Sequence, residues 1–290
     1  MYEAILDEAT VRGLRDRQAN AFMLLGLAHR RLGDERRAQA LLDEARRLAI
    51  ETDSSDIEVR LLLEDAFSAF ARGDFGRVPS LLAAAEAADD DPTGEGNAHN
   101  RMFLQAAYGI VVGHDAAAAW ARGAQRMAMR TKGVDTRIHG ALQLAHLALI
   151  EGDPTAAGRA LNEVTGGAAT TAAACILTAA HRLVRGHQDR AMVAWDAALP
   201  AHEYSDPEAE AVVEVAHKWT LRVLSAHHRL VTSGHADPAA AVHARTVLTA
   251  ADAAARAAPG VGFLTTRVAM EALRQTSASR RRPSPPPSPG

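Results

Sequence analysis

The residues of this chain best suited to metal or nucleophilic chemistry are thirteen histidines and one cysteine, Cys175. Eight of the histidines lie from His181 onward. The tightest pairing is Glu214-Val215-Ala216-His217, which on a helix puts a carboxylate and an imidazole on one face. Di-iron bundles use that pair, but they need it twice together with further inward glutamates, and no second Glu-x-x-His occurs. No His-Glu-x-x-His and no paired cysteines point to zinc. Cys175 sits in the apolar run Ala172–Leu177, where a thiol behaves as a small hydrophobe rather than a nucleophile. No Gly-x-Ser-x-Gly elbow, Gly-x-Gly-x-x-Gly turn or phosphate loop is present. Asp89-Asp90-Asp91 lacks the ligand spacing of a calcium loop and is expected to be a solvated helix end. The chemistry expected of this chain is therefore non-catalytic, with no metal and no cofactor.

The elements that carry these residues follow from composition. Hydrophobic residues make up 48% of the 290, yet aromatics only 4%, so the apolar content is small and aliphatic. About 64 alanines favour helices over sandwiches and barrels, which need β-branched and aromatic residues. A net charge of −3 argues against a strongly basic binder of nucleic acid or of anionic membrane. The arginine pairs at 30–31, 36–37 and 46–47 are interleaved with Asp34, Glu35, Asp43 and Glu44, as on a solvated helix face. All basic residues except Lys132 and Lys218 are arginine, which fits a GC-rich bacterial genome. The acidic N-terminus is no signal peptide and the longest apolar stretch, Met102–Gly113, is too short to span a bilayer. A soluble, cytoplasmic protein is expected.

Turn signals then divide the chain. Glycines at 33, 73, 113, 152, 186 and 234 each separate two apolar-periodic runs, at steps of 40, 40, 39, 34 and 48 residues. A glycine can end one helix in the left-handed conformation while a following Asp caps the next, as in Gly33-Asp34. Each unit is then a helical hairpin, and a period of this kind marks a helical-repeat array. The first hairpin places small Gly26, Ala38 and Ala45 around bulky Leu42. That alternation resembles the tetratricopeptide repeat. Ala66, Ala106, Ala145 and Ala179 continue the small position, with Ala118, Ala157 and Ala191 opposite. The resemblance implies an all-α, right-handed superhelix of about five to six TPR-like hairpins over residues 1–276. Residues 277–290, rich in Arg, Pro and Ser, are read as a disordered tail. The segment 4–9 nearly duplicates 40–45, so the chain is expected to open on the second half of a repeat, with upstream repeats missing.

A period near 40 is similar to the repeat regions of large bacterial LuxR-type and antibiotic regulators. The resemblance implies a regulatory docking platform whose first helices line a concave groove. Mapping by the turn glycines puts Met23, Leu27, Leu63, Phe67, Phe70, Phe103, Ile110 and His146 there, with Ala107 and Leu142. Family members that clamp a peptide's C-terminal carboxylate use Lys and Asn at such sites, which are absent from this set. The implied ligand is an apolar peptide or amphipathic helix of another protein, such as a regulator with a nucleotide switch. Two further readings stay open. The C-terminal helices around Arg267 and Arg274, with Arg280-Arg281-Arg282, could contact DNA. A small-molecule or peptide-signal sensor would use the same array closed around its ligand.

Overall fold

The computed structural model describes residues 2–90, 95–131, 134–164, 171–203, 215–233, 237–258 and 263–279. Among them every regular element is a helix. In chain order these are α1 (Tyr2–Val11), α2 (Arg15–Arg31), α3 (Glu35–Thr52), α4 (Ser55–Arg72), α5 (Val78–Ala88), α6 (Glu95–Val112) and α7 (Ala117–Thr131). There follow α8 (Val134–Ile150), α9 (Pro154–Leu161), α10 (Ala172–Val184), α11 (Gln188–Glu203), α12 (Val215–Thr232), α13 (Pro238–Ala257) and α14 (Leu264–Ser279). Two compact units result. One holds α1–α5, α6 as far as Gly109, α7 and the start of α8; the other holds the last residues of α6, the end of α8 and α9–α14.

The predicted turns form in one repeated way. Gly33, Gly73, Gly113, Gly152 and Gly186 all have φ between 74° and 79°. At four of them the next residue donates its backbone N–H five residues back: Asp34 to His29, Asp74 to Ala69, Asp153 to Ala148 and His187 to Arg182, at 2.8–2.9 Å. This bond satisfies a carbonyl that the helix end would leave unpaired. The anticipated cap also forms, with Asp34 Oδ1 accepting from the Arg37 N–H at 3.2 Å. Gly234 lies outside the described residues.

The turns between hairpins obey the same rule. Gly13 has φ 67° and Asp53 has φ 53°, and Leu14 and Ser54 donate to Ala9 and Ala49, each at 2.9 Å. The accepting carbonyls of Ala9, His29, Ala49 and Ala69 thus recur every twenty residues. This register pairs Ala9 with Ala49, forty residues on, and both are buried. It differs by one helical turn from the 36-residue offset of the 4–9 and 40–45 duplication. Local sequence likeness follows composition, whereas the turn fixes which residues face the neighbouring helix.

Within the first unit, α2 and α3 pack as a hairpin closed by Leu32-Gly33-Asp34. Gly26 and Leu42 lie at equal distances from Asp34, so they meet where the helices cross. A Cβ on Gly26 would stand 2.7 Å from Leu42 Cγ and 3.2 Å from the Ala38 carbonyl oxygen. Ala38, Leu42 and Ala45 are buried. Ala66, Ala106, Ala145 and Ala179, assigned to the same small position, have no exposed surface either. The third hairpin departs from the expected register: Ala117, Ala121 and Ala124 are buried, and Ala118 only partly. In the second, α5 starts only at Val78 because Pro79 has no N–H to donate and fits the first turn of a helix. Val78 is buried in the place that Ala38 has in α3. Helices α2 and α4 begin before their apolar periodicity, since Ala19, Ile57 and Val59 are buried near their starts.

In the second unit, α10 packs on α9, α11, α12 and α14, and α12 on α13 and α14. Trp195, Leu230 and Leu273 share one core with Ala179, Ala191 and Ala244. Helix α14 runs through Ser279 and so takes in the first three residues of the predicted tail, and residues 280–290 lie outside the description.

Two substitutions test this construction. Gly26→Ala should lower the unfolding free energy by about 1–2 kcal/mol in urea melts, because overpacking at the crossing exceeds the gain in helix propensity. Asp53→Gly should raise it by about 1 kcal/mol, since glycine adopts the left-handed turn without the Cβ clash.

Candidate functional site

A cavity of about 270 Å³ opens in the first unit. Helix α2 contributes Met23 and Leu27; α4 contributes Arg60, Leu63, Glu64 and Phe67; α6 contributes Asn100, Phe103 and Leu104. The forty-residue register brings these nine together. Met23, Leu63 and Phe103 are successive equivalents, as are Leu27 and Phe67, Glu64 and Leu104, and Arg60 and Asn100. On α4 the spacing is i, i+3, i+4, i+7, and the residues from α2 and α6 occupy part of the same pattern, one continuous helical face. Five of the predicted groove residues, Met23, Leu27, Leu63, Phe67 and Phe103, line this cavity.

Polar groups mark one edge. Arg60 Nη1 donates to Asn20 Oδ1 at 3.1 Å and lies 4.0 Å from Asp56 Oδ2. Asn97 Nδ2 donates to Asp56 Oδ1 at 2.9 Å, tying α6 to α4. Asn20, Arg60 and Asn100 occupy the same position of the register. The expectation of a purely apolar face, without such amides, is thereby corrected. The signal was present in the sequence: adding forty to Asn20 twice gives Arg60 and Asn100.

The wall that α6 supplies is held from behind. Arg101 Nη1 pairs with Asp89 Oδ2 at 3.2 Å, and their side chains are only 9% and 5% exposed. Asp89 is therefore an internal anchor and not a solvated helix end. Phe103 packs between His99 and His139, with ring centroids 6.3 Å and 5.8 Å away. His99 is buried, neither ring nitrogen makes a hydrogen bond, and burial pushes its pKa down.

The other predicted groove residues are placed differently. Phe70 is buried and packs on Phe75, 6.0 Å away, because it lies around the helix from Phe67. Ile110, Ala107 and Leu142 are buried. His146 has no exposed surface; it stacks on His217 at 5.1 Å and touches the Phe263 ring at 4.5 Å. These rings sit in the second unit, where Gln143, Thr220 and Thr266 are also buried. Thr220 and Thr266 hydrogen-bond at 2.6 Å. His146 is thus a core residue of a polar cluster rather than a surface for a partner.

The remaining candidates resolve as follows. Cys175 is buried beside Ile176, Ala198 and Leu221, and burial pushes its thiol pKa up, away from the reactive thiolate. Glu214 lies outside the described residues, so its pairing with His217 does too. Among the described residues no group of three or more His, Cys, Asp or Glu is placed to hold a metal ion. No described helix is long and apolar enough to cross a membrane. Near the C-terminus Arg267 is exposed, while Arg274 pairs with Asp252 at 2.6 Å and with Glu271 at 3.8 Å. No protein-family model, curated protein or solved structure matches the chain.

Burial also depresses the pKa of His181 and His227 below the usual value of about 6.5. The unfolded chain then takes up protons first as pH falls, so stability is highest above pH 6.5 and declines below it. The urea midpoint should be lower at pH 5.5 than at pH 7.5. His99→Val, which copies Val59 forty residues earlier, should narrow that difference.

Proposed function

We propose that this chain is a non-catalytic helical-repeat module, regulatory in role, whose first-helix face docks an apolar segment of another protein. What supports this is the composition of the cavity. Three consecutive first helices, α2, α4 and α6, present the same helical face, and six of the nine residues there are Met, Leu or Phe. Leu27, Phe67 and Phe103 are only partly buried, so part of each side chain remains at the surface. Covering two aromatic rings and several aliphatic chains yields about 25 cal/mol for each Å² removed from water. The polar edge fixes register. Such a module works in the cytoplasm of a bacterium, needs no cofactor, and acts by presenting or withholding its partner. A helical-repeat architecture of tetratricopeptide type accounts for the forty-residue register, the left-handed turns and the small residues at each helix crossing.

Phe67→Glu and Phe103→Glu test the proposal, because both side chains reach solvent and both substitutions put a carboxylate in the apolar wall. A polypeptide captured by the wild-type chain, remade in pure form, should bind either variant at least about tenfold more weakly, with helix content unchanged by circular dichroism. Equal binding to wild type and both variants would sink the idea.

A further inference from the structure

Helix α7 presents a second surface, apart from the cavity. Its inner side meets two neighbours. On α6, a Cβ at Gly109 would stand 3.0 Å from both Ala117 Cβ and the Trp120 ring, and a Cβ at Gly123 would stand 3.0 Å from Met102 Sδ. On α8, a Cβ at Gly140 would stand 3.4 Å from Gln125 Cβ. The residues of α7 left exposed are Ala119, Arg122, Arg126, Met129 and Arg130, which form one arc of the helix. The helix carries three arginines and no acid, and none of the three pairs with a carboxylate among the described residues. Successive arginines are four residues apart, a rise of about 6 Å.

The first hairpin carries the same face in neutralised form. Buried Ala117, Ala121 and Ala124 follow Ala38, Leu42 and Ala45 of α3 by 79 residues. At that offset the exposed arc of α7 corresponds to Ala40, Asp43, Arg47, Ile50 and Glu51, all exposed on α3. There Arg47 pairs with Glu44 and Glu51, and Asp43 pairs with Arg46 at 2.9 Å. On α7 the apolar place is kept, as Met129, and the central cation is kept, as Arg126, but every acid is gone. Asp43 is matched by Arg122, Glu44 by Gly123 and Glu51 by Arg130. Like charges one turn apart repel where those of α3 attract, so acids laid across this face relieve a repulsion within the helix. We infer that the outer face of α7 docks an acidic segment of another polypeptide, with carboxylates about 6 Å apart against Arg122, Arg126 and Arg130 and an aliphatic side chain against Met129. Guanidinium forks match carboxylates with two parallel N–H donors. Met129, 60% exposed, gives the segment an apolar contact that a row of phosphates would leave unused. The chain's net charge of −3 offers no long-range pull on nucleic acid or an anionic membrane. This surface and the cavity lie on different helices, so each stands or falls without the other.

The probe is a fluorescent Ala-rich helical peptide with Glu at i, i+4 and i+8 and one Leu on the same face, titrated with the full chain and read by anisotropy. Its binding should weaken as salt rises, and replacing the three Glu by Gln should weaken it at least about tenfold. Arg122→Asp with Arg130→Glu installs the pairing of α3, which this architecture already accommodates. That variant should bind the Glu peptide at least about tenfold more weakly, while its urea midpoint holds or rises. Arg126→Gln and Met129→Ser should each cost about threefold, and they keep the test open if the double variant fails to fold. Equal affinity for the Glu and Gln peptides, or equal affinity of wild type and all variants, would overturn the inference. Tighter binding of duplex DNA or of phosphatidylserine vesicles at the same salt, lost in the double variant, would overturn it in favour of a phosphate-binding surface. So would the absence of any peptide binding at low salt, which leaves α7 a plain solvated face.

Discussion

A single backbone hydrogen bond sets the geometry on which everything else in this protein rests. At six of the seven left-handed turns among the described residues, the N–H just beyond the left-handed residue returns five positions to the carbonyl of the helix it has left. The bond stops the helix at a fixed residue and sends the chain back alongside it. In the first unit the turns recur every twenty residues, so successive helices have nearly equal length and residues forty apart occupy equivalent places. Where the step shortens or lengthens, as between Gly152 and Gly186, the neat correspondence of side chains fades with it.

Close packing is the second consequence. Helices lie close only where their crossing is narrow: Gly26 marks such a crossing, and the corresponding Ala66, Ala106, Ala145 and Ala179 are fully buried. This is where the alanine content goes: it lets helices approach, while a few large residues such as Leu42 and Trp195 fill the space between. The scarcity of aromatics follows from the same geometry. Rings are tolerated where the register leaves room, as at Phe67 and Phe103 on the cavity wall and at the stacked His146, His217 and Phe263 in the second unit.

The cavity joins both consequences. Its floor exists because three first helices repeat one face, and its wall on α6 is fixed by the buried Arg101–Asp89 pair, which could not be left half-made without stranding a charge. Its chemistry is apolar with one cation and one anion at the edge.

Helix, turn and small-residue positions were legible in the sequence because they depend on local rules: glycine for a positive φ, Asp after it for a cap, alanine at 3.6-residue spacing. That Met23, Leu27, Leu63, Phe67 and Phe103 share one face was legible for the same reason, since a helical face repeated at forty residues can be counted. Three kinds of outcome required the folded chain. The one-turn difference in register at α1 was decided by the turn at Gly13, which outweighs the likeness of residues 4–9 to 40–45. The turning of Phe70 and His146 into the core, and of Arg60 and Asn100 onto the cavity, depended on how far each helix is rotated about its axis. The pairing of Asp89 with Arg101 joined residues on two elements that no sequence spacing links. Periodicity fixes which residues share a face; only the packing of one helix against the next decides what that face meets.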